Sequence, residues 1–309
     1  MSAVKPNGLA AAKSRHAGTK TGPSASPKTG TREWSEHSVN CCRGCSHGCL
    51  YCYARERAIR FHAHWLKRGD DWTTELFPPV VDEIYAARTY NERYPGVVMF
   101  PTTHDLTPDN ADACLAVLDC LLTVKNRVLI VSKPHIEVID KVLELLGRHP
   151  VAAALVEFRF TIGGIDRSVL NFWEPNAPSL PERMACLEMV EAKGYRTSVS
   201  AEPLLEPSRA VELVKMVEPF VSGEIWVGKA NQLRRRTAWI IKAWAGPGPS
   251  PRCPFPIDLD SQIERLEAQQ TDEAVMAVVE QLQGNPKIRW KDSYREVIER
   301  HSPQRTQRP

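Results

Sequence analysis

The sequence predicts an α/β protein whose parallel sheet winds as an incomplete α/β barrel. Three observations lead there. Short apolar, β-branched runs recur at residues 96–100, 127–131, 156–162, 196–201 and 224–227. Amphipathic stretches of helical spacing lie between them. The residues just after the runs are polar, and strand C-termini are where barrels keep their chemistry. Strands alternating with helices imply parallel pairing through right-handed crossovers. An open doubly wound sheet satisfies the same pattern.

Taken in order, residues 1–32 carry six Lys or Arg and no acid, so the rest of the chain sums to −3 within a net charge of +3. This opening is rich in Ser, Thr, Gly, Ala and Pro, which predicts a disordered basic tail, either a solvated end or one that touches an acidic partner. Residues 33–245 form the core. A first strand is expected around 39–42 and helices over 112–122 and 210–217. Ile136, Ile139, Leu143 and Leu146 fall on one helical face. Ser179 with Glu182 reads as a capping box, and Gly194 stops that helix. Residues 246–256 (GPGPSPRCPFP) form a Pro-rich linker. Beyond it, 257–283 looks helical, and 288–300 supplies a last element of a small, mainly helical C-terminal extension that packs on the barrel or closes its open side. A second tail is expected from residue 301.

With 309 residues and 42% hydrophobic content, the chain can fill one large core. No apolar run has the length of a membrane span, and no secretory h-region follows the N-terminus. A cytoplasmic protein without membrane contact is expected. Nine cysteines are many for that compartment, and five of them (Cys41, Cys42, Cys45, Cys49 and Cys52) fall within twelve residues. In a reducing compartment such clustering points to a metal rather than to disulfides. Cys114, Cys120, Cys186 and Cys253 read as buried small hydrophobes.

Cys45, Cys49 and Cys52 stand as C-x3-C-x2-C. Three thiolates this close converge on one centre and leave it one ligand short of closure, the arrangement of a reactive site rather than a structural one. Thiolates favour zinc, Cu(I) or iron–sulfur clusters. A 4Fe–4S cube held by three cysteines keeps one iron free for another ligand. Gly44 and Gly48 let the loop wrap tightly. The competing reading is a non-catalytic zinc knot with Cys41 or Cys42 as fourth ligand, in a module that touches nucleic acid through its basic tail.

The segment RGCSHGCLYCYA at residues 43–54 resembles the radical S-adenosylmethionine superfamily, and within it the subgroup related to spore photoproduct lyase. Tyr51 and Tyr53, Lys133 in the VSKP stretch at 131–134, Thr161, and Glu174 with Pro175, Pro178 and Arg183 extend the likeness over residues 39–231. The resemblance implies a partial (β/α)6 TIM-like barrel with the cysteine loop after its first strand. It implies that Cys45, Cys49 and Cys52 hold a 4Fe–4S cluster whose fourth iron chelates S-adenosyl-L-methionine. Tyr51, Tyr53, Thr103, Asp105, Lys133 and Thr161 would surround that cofactor. An external electron donor such as a flavodoxin or ferredoxin would feed the cluster, a 5′-deoxyadenosyl radical would form, and a substrate would lose hydrogen, nucleic acid being possible from the subgroup. The chain departs from the pattern at the second strand end. Thr102-Thr103-His104-Asp105 replaces the superfamily's Gly-Gly-Glu stretch, and Thr102 stands where spore photoproduct lyases place a hydrogen-donating cysteine. An O–H bond is too strong for that task, so the photoproduct reaction itself is not expected.

Other candidates lack so specific a pattern. His47 either lines the site or faces solvent, and Glu202 either meets substrate or caps a loop. Arg183 is expected to pair with Glu174. Arg234, Arg235 and Arg236 form a charge run that is either a solvated face or, with Lys229, a phosphate contact.

Overall fold

The computed structural model describes residues 29–61, 80–81, 92–244 and 259–302. The proposed tails, apart from the ends that adjoin these segments, the linker at 246–256 and Cys253 lie outside the described residues. In chain order the strands are β1 (His37–Ser38), β2 (Cys42–Arg43), β3 (Val80–Val81), β4 (Val97–Phe100), β5 (Arg127–Ser132), β6 (Val156–Thr161), β7 (Arg196–Ala201), β8 (Ile225–Val227) and β9 (Ile288–Trp290). The main helices are α1 (Tyr53–Phe61), α2 (Ala111–Thr123), α3 (Ile136–Gly147), α4 (Pro150–Ala153), α5 (Arg167–Trp173), α6 (Leu180–Ala192), α7 (Ala210–Val217), α8 (Leu233–Trp244), α9 (Leu259–Ala268), α10 (Asp272–Leu282) and α11 (Asp292–His301).

Seven strands build one sheet in the order β1-β4-β5-β6-β7-β8-β9, and every neighbouring pair is parallel. Each strand lies beside the next one of that sheet in sequence. A doubly wound fold would reverse its strand order part-way, so the winding is that of a barrel. Among the described residues, β1 and β9 end the sheet without pairing to each other, as in an incomplete barrel. β2 and β3 form a separate antiparallel ribbon.

Strands covered on both faces read as continuous apolar runs, as in Val98, Met99 and Phe100 of β4, all buried. Outside the sheet, α2 buries Val117, Leu118, Leu121 and Leu122, and α3 buries Ile139, Val142, Leu143 and Leu146. Each such side chain contributes about 1.5–3 kcal/mol of transfer free energy. Ile136, at the first turn of α3, is 42% exposed instead. Polar residues of β6 and β7 are buried as well, and Arg159 among them is held in an ion pair. Arg159 donates to Ser198 (2.9 Å) and to Glu157 (2.8 Å), and its guanidinium lies over the rings of Trp34 and Trp226.

Three local expectations change. The first sheet strand is at 37–38, ahead of the expected 39–42, because Val39 still bonds to Met99 while Cys42 has turned to pair with Val81. Ser179 caps α6 by accepting the Glu182 N–H (3.4 Å), but the Glu182 carboxylate accepts from Ile136 N (3.1 Å), so the reciprocal half of the capping box goes to a neighbouring helix. The C-terminal extension is not only helical. Its Ile288–Trp290 segment is the seventh strand, paired with β8. Three residues are too few for an alternation signal, so only the exposed edge of β8 identifies them. Lys291, fully buried, fastens this segment to the start of the described chain through Glu33 (3.0 Å), Gly30 O (2.7 Å) and Glu202 (3.3 Å).

Candidate active site

The cysteine loop is held from both ends. Gly44 and Gly48 take positive φ, 87° and 61°, a conformation that would strain any other residue. Leu50 N–H donates to Trp173 O (2.9 Å), Asn176 N–H to His47 O (3.2 Å), and the Asn176 side chain to Ser46 O (3.2 Å). The loop is thus clamped to the 173–176 segment that follows β6. Cys45 and Cys49 are buried, and Cys52 is half-buried just before α1.

A cavity of 710 Å³ opens between this loop and the C-terminal ends of the strands. Cys45, Cys49 and Cys52 line it, together with Tyr51 and Tyr53 from the loop. β4 delivers Thr102, Thr103 and Asp105, β5 delivers Lys133, β6 Thr161, β7 Ser200 and Glu202, and β8 Lys229. The nine residues named above as cluster and cofactor candidates therefore meet at one space. A parallel sheet of consecutive strands produces this, since all its C-termini point the same way.

Two buried polar networks stiffen the wall. In the first, Asp105 accepts from Lys133 N (2.8 Å), its other oxygen lies 2.8 Å from His47 Nδ1 and 3.6 Å from Lys133 Nζ, and Cys45 Sγ approaches to 3.8 Å. His47 Nε2 in turn meets His135 Nε2 at 2.8 Å. Burial works against ionising Asp105, but Lys133 and His47 outweigh it and hold the carboxyl well below the usual range. Burial likewise opposes the Lys133 charge, and Asp105 above all, with Glu174, overcomes it and raises the lysine. In the second network the Tyr51 hydroxyl donates to Glu174, and Glu174 pairs with Arg183 at 2.5 Å. Arg183 also donates to Pro178 O (2.8 Å) and Thr161 O (3.2 Å). This pair stands inside the wall and shapes it.

The remaining lining is fixed more locally. The Asn40 carboxamide accepts from Thr102 N (2.7 Å) and Thr103 N (2.8 Å) and donates to the Thr102 hydroxyl (2.7 Å), while Tyr53 OH donates to Thr102 O. Burial pushes the Glu202 carboxyl up, against the pull of Lys291. Sequence reasoning left His47 undecided and passed over Arg55. His47 is 1% exposed, turned inward. Arg55 is buried at the cavity, and its backbone N–H lies 3.5 Å from Cys52 Sγ. Its place three residues after the last cysteine, on the first turn of a helix, was the available signal. Arg235 reaches Glu56 (3.1 Å) at the cavity, and Arg234 turns out to Glu267 (3.0 Å).

The donor set suits a metal cluster. Burial pushes the Cys49 thiol up to about 12 and Cys45 well above its ordinary value. Alone, these thiols stay protonated at neutral pH, and a coordinated metal is the partner that deprotonates a thiol outright. Among the described residues the cavity lining holds three cysteines and no fourth, so a cluster held there would keep one position without a protein thiolate. Cys41 and Cys42, the fourth-ligand candidates of the zinc-knot reading, are not in that lining. Their thiols pack against Cys114 and His104. Cys45, His47 and Asp105 also bring ligand atoms within 4.8 Å of one another, but a single ion there competes with Lys133 for Asp105.

No protein-family model matches the chain. A search of curated proteins finds the uncharacterized protein ORF301 of Acidianus two-tailed virus, 24% identical over 184 residues, covering 58% of this chain and 59% of the viral protein. The chain thus spans about three-fifths of the length of the curated relative it matches. Among solved structures, spore photoproduct lyase complexed with dinucleoside spore photoproduct is similar, at 18% identity and a TM-score of 0.48, covering 83% of this chain and 76% of that one. A variant of the same lyase with bound AdoMet and dinucleoside spore photoproduct gives the same identity, coverage and TM-score.

Proposed function

We propose that this chain is a radical S-adenosylmethionine enzyme. The observation that carries the reading is the convergence of three motif cysteines, with no fourth among the described lining residues, on a 710 Å³ cavity at the C-terminal ends of a parallel sheet. Cys45, Cys49 and Cys52 would hold a 4Fe–4S cluster, and S-adenosylmethionine would fill the space beside it. When bound, the pair supplies one-electron cleavage of the sulfonium and a carbon radical that removes hydrogen from a substrate.

The chain's own residues hold and enclose. Glu174 fixes the Tyr51 hydroxyl, so that ring is a rigid wall next to Cys49. Lys133 brings a fixed cation suited to a carboxylate, and Asp105 keeps it in place. Thr103, Thr161 and Tyr53 offer hydrogen-bonding groups around the space. Residues 33–245 are assigned to the catalytic core, and within the extension at 257–300 the strand Ile288–Trp290 continues the sheet and Lys291 braces it. The electron comes from an external donor such as a flavodoxin or ferredoxin.

The substrate class follows from charge. Among the described residues, eight basic side chains but three acidic ones line the cavity, the basic set including Arg57, Arg60, Lys229 and Arg236. Such an excess attracts a polyanion, so nucleic acid is the favoured substrate. Thr102 cannot return hydrogen as a thiol does, so photoproduct repair is not proposed.

The test is anaerobic reconstitution with iron and sulfide, then reduction in the presence of S-adenosylmethionine. The expected result is about four irons per chain and formation of methionine and 5′-deoxyadenosine, both lost in Cys45→Ala, Cys49→Ala or Cys52→Ala. Deuterated DNA and RNA oligonucleotides should pass label into the deoxyadenosine. A colourless protein that forms none after reconstitution refutes the proposal. Cleavage without label transfer refutes the nucleic-acid assignment alone.

A further inference from the structure

Beside the cavity, which His104 also lines, three segments bring four donors together. Cys41 and Cys42 come from the turn into β2, His104 from the end of β4 and Cys114 from the first turn of α2. We propose that these four residues form a second, closed metal site that binds one zinc ion and braces the cysteine loop. This inference does not rest on the proposed enzymatic function.

The geometry is that of one ion. All four ligand atoms lie within 4.8 Å of one another. Cys41 Sγ is 3.6 Å from Cys42 Sγ, 3.5 Å from Cys114 Sγ and 4.0 Å from His104 Nε2. A tetrahedral zinc with bonds of about 2.3 Å to sulfur and about 2.0–2.1 Å to nitrogen places its sulfurs about 3.8 Å apart and sulfur and nitrogen about 3.5 Å apart. The three separations from Cys41 Sγ differ from these by about half an ångström or less. A 4Fe–4S cube spreads its ligands over separate irons, so donors this tightly grouped suit a single ion.

The histidine is set up for the role. Its Nδ1 is 3.0 Å from the backbone carbonyl of Asp105, which can only accept, so Nδ1 carries the proton. Nε2 therefore turns a lone pair toward the thiols. Ligating histidines characteristically bond their other nitrogen in this way. A single long hydrogen bond, from Cys41 N–H at 3.2 Å, competes for that lone pair, and an ion would replace it. Buried cysteines often serve as small apolar groups. That explanation covers three thiols but not an imidazole nitrogen aimed into their midst.

All four ligands are buried. Cys41, Cys42, His104 and Cys114 are 0%, 5%, 6% and 1% exposed. Four protein ligands leave no open position, the mark of a structural ion. Any thiol still protonated gives up its proton to solvent on binding. The gain is mechanical. Cys42 lies three residues before Cys45, and His104 adjoins Asp105, so the ion ties the start of the cysteine loop to β4 and α2 at the point where the cavity wall begins.

Metal analysis of the full chain decides it. Protein expressed with zinc and reconstituted with iron should contain about one zinc per chain beside the iron. The triple variant Cys45→Ala, Cys49→Ala, Cys52→Ala should lose iron and keep its zinc. The variant Cys42→Ala with Cys114→Ala should lose zinc by about tenfold or more and retain iron. Should that double variant fail to fold, the triple variant titrated with Co2+ alone gives the answer, through the visible bands of tetrahedral thiolate cobalt. A folded triple variant that holds less than about a tenth of an equivalent of zinc and shows no cobalt bands overturns the proposal. So does a Cys41–Cys114 disulfide found by peptide mapping of the anaerobic protein. Zinc content and iron-dependent cleavage are separate readouts, so either reading can fail alone.

Discussion

Replacing Arg183 by Met is the sharpest probe of how the cavity wall is held. Arg183 and Glu174 are 1% and 0% exposed at the side chain and meet at 2.5 Å. Truncating one member of a buried pair leaves the other charge without its counter-ion, which costs about 3–5 kcal/mol. Pro178 O and Thr161 O lose a donor as well. The pH dependence has a definite sign. Burial raises the Glu174 carboxyl, while Arg183 above all, then Lys133 and Tyr51, hold it below its ordinary 4.5. Without Arg183 the burial effect dominates, and the folded-state value climbs above the unfolded one. The variant's Glu174 can then escape by taking up a proton, so the loss should be largest at pH 8 and shrink toward pH 5. Urea unfolding followed by far-UV circular dichroism, at both pH values, measures it. A double-mutant cycle with Glu174→Gln should return a coupling of several kcal/mol, because the second change removes the stranded charge. Since Glu174 also fixes Tyr51 beside Cys49, iron retention should fall in parallel. A cost below about 1 kcal/mol, the range of solvent-exposed pairs, or a loss that does not vary with pH, would refute the reasoning.

Three further expectations can be checked with the same assay and a fourth by equilibrium dialysis. Lys291→Met should cost about 3–5 kcal/mol, because it strips a fully buried cation from Glu33 and Glu202; a near-neutral result would mean that the last strand is not braced through it. Gly163→Ala should cost about 1–3 kcal/mol, since an added methyl runs into the backbone carbonyl of Pro203; an unchanged urea midpoint would disprove that close approach. Glu157 is held below its ordinary 4.5, burial opposing but Arg159, Ser198 and Arg196 prevailing, so its contribution is present above that pH and disappears as pH falls through the lower folded value. Wild type and Glu157→Gln should accordingly converge in acid, whereas a constant gap would contradict the linkage. Lys133→Met should leave Asp105 buried beside His47 alone and weaken S-adenosylmethionine binding in the reconstituted protein by about tenfold or more, a charge-assisted contact being worth about 1.5–3 kcal/mol. Unchanged binding by equilibrium dialysis would remove Lys133 from the cofactor's neighbourhood.

How far the chain could be read depended on the range of each interaction. The cysteine loop, the apolar runs of β4 to β8 and the hydroxyl or charged residue after each run are local features, so spacing alone located them. The barrel-type winding was ambiguous, because helix and strand periodicity says nothing about strand order. It took the pairing of β1 with β4, and of every later strand with its predecessor, to exclude a doubly wound sheet. The last strand escaped for a related reason. Ile288–Trp290 has little pattern of its own and is a strand because β8 offers an open edge. His47 shows the same limit within the motif itself: its burial comes from Asp105 and His135, residues 58 and 88 positions away.

By itself, then, the sequence determined the alternation of strands and helices, the three thiols of the motif and the polar residues at the strand ends. Each of these is written in neighbours a few residues apart, through side-chain period and backbone freedom. Tertiary structure alone decided that these residues share one cavity, that Cys41 and Cys42 turn from it toward His104 and Cys114, and that Glu174, Arg183 and Lys133 are buried yet paired. Burial and charge compensation are set by groups brought together from distant parts of the chain, and no local window of residues contains them.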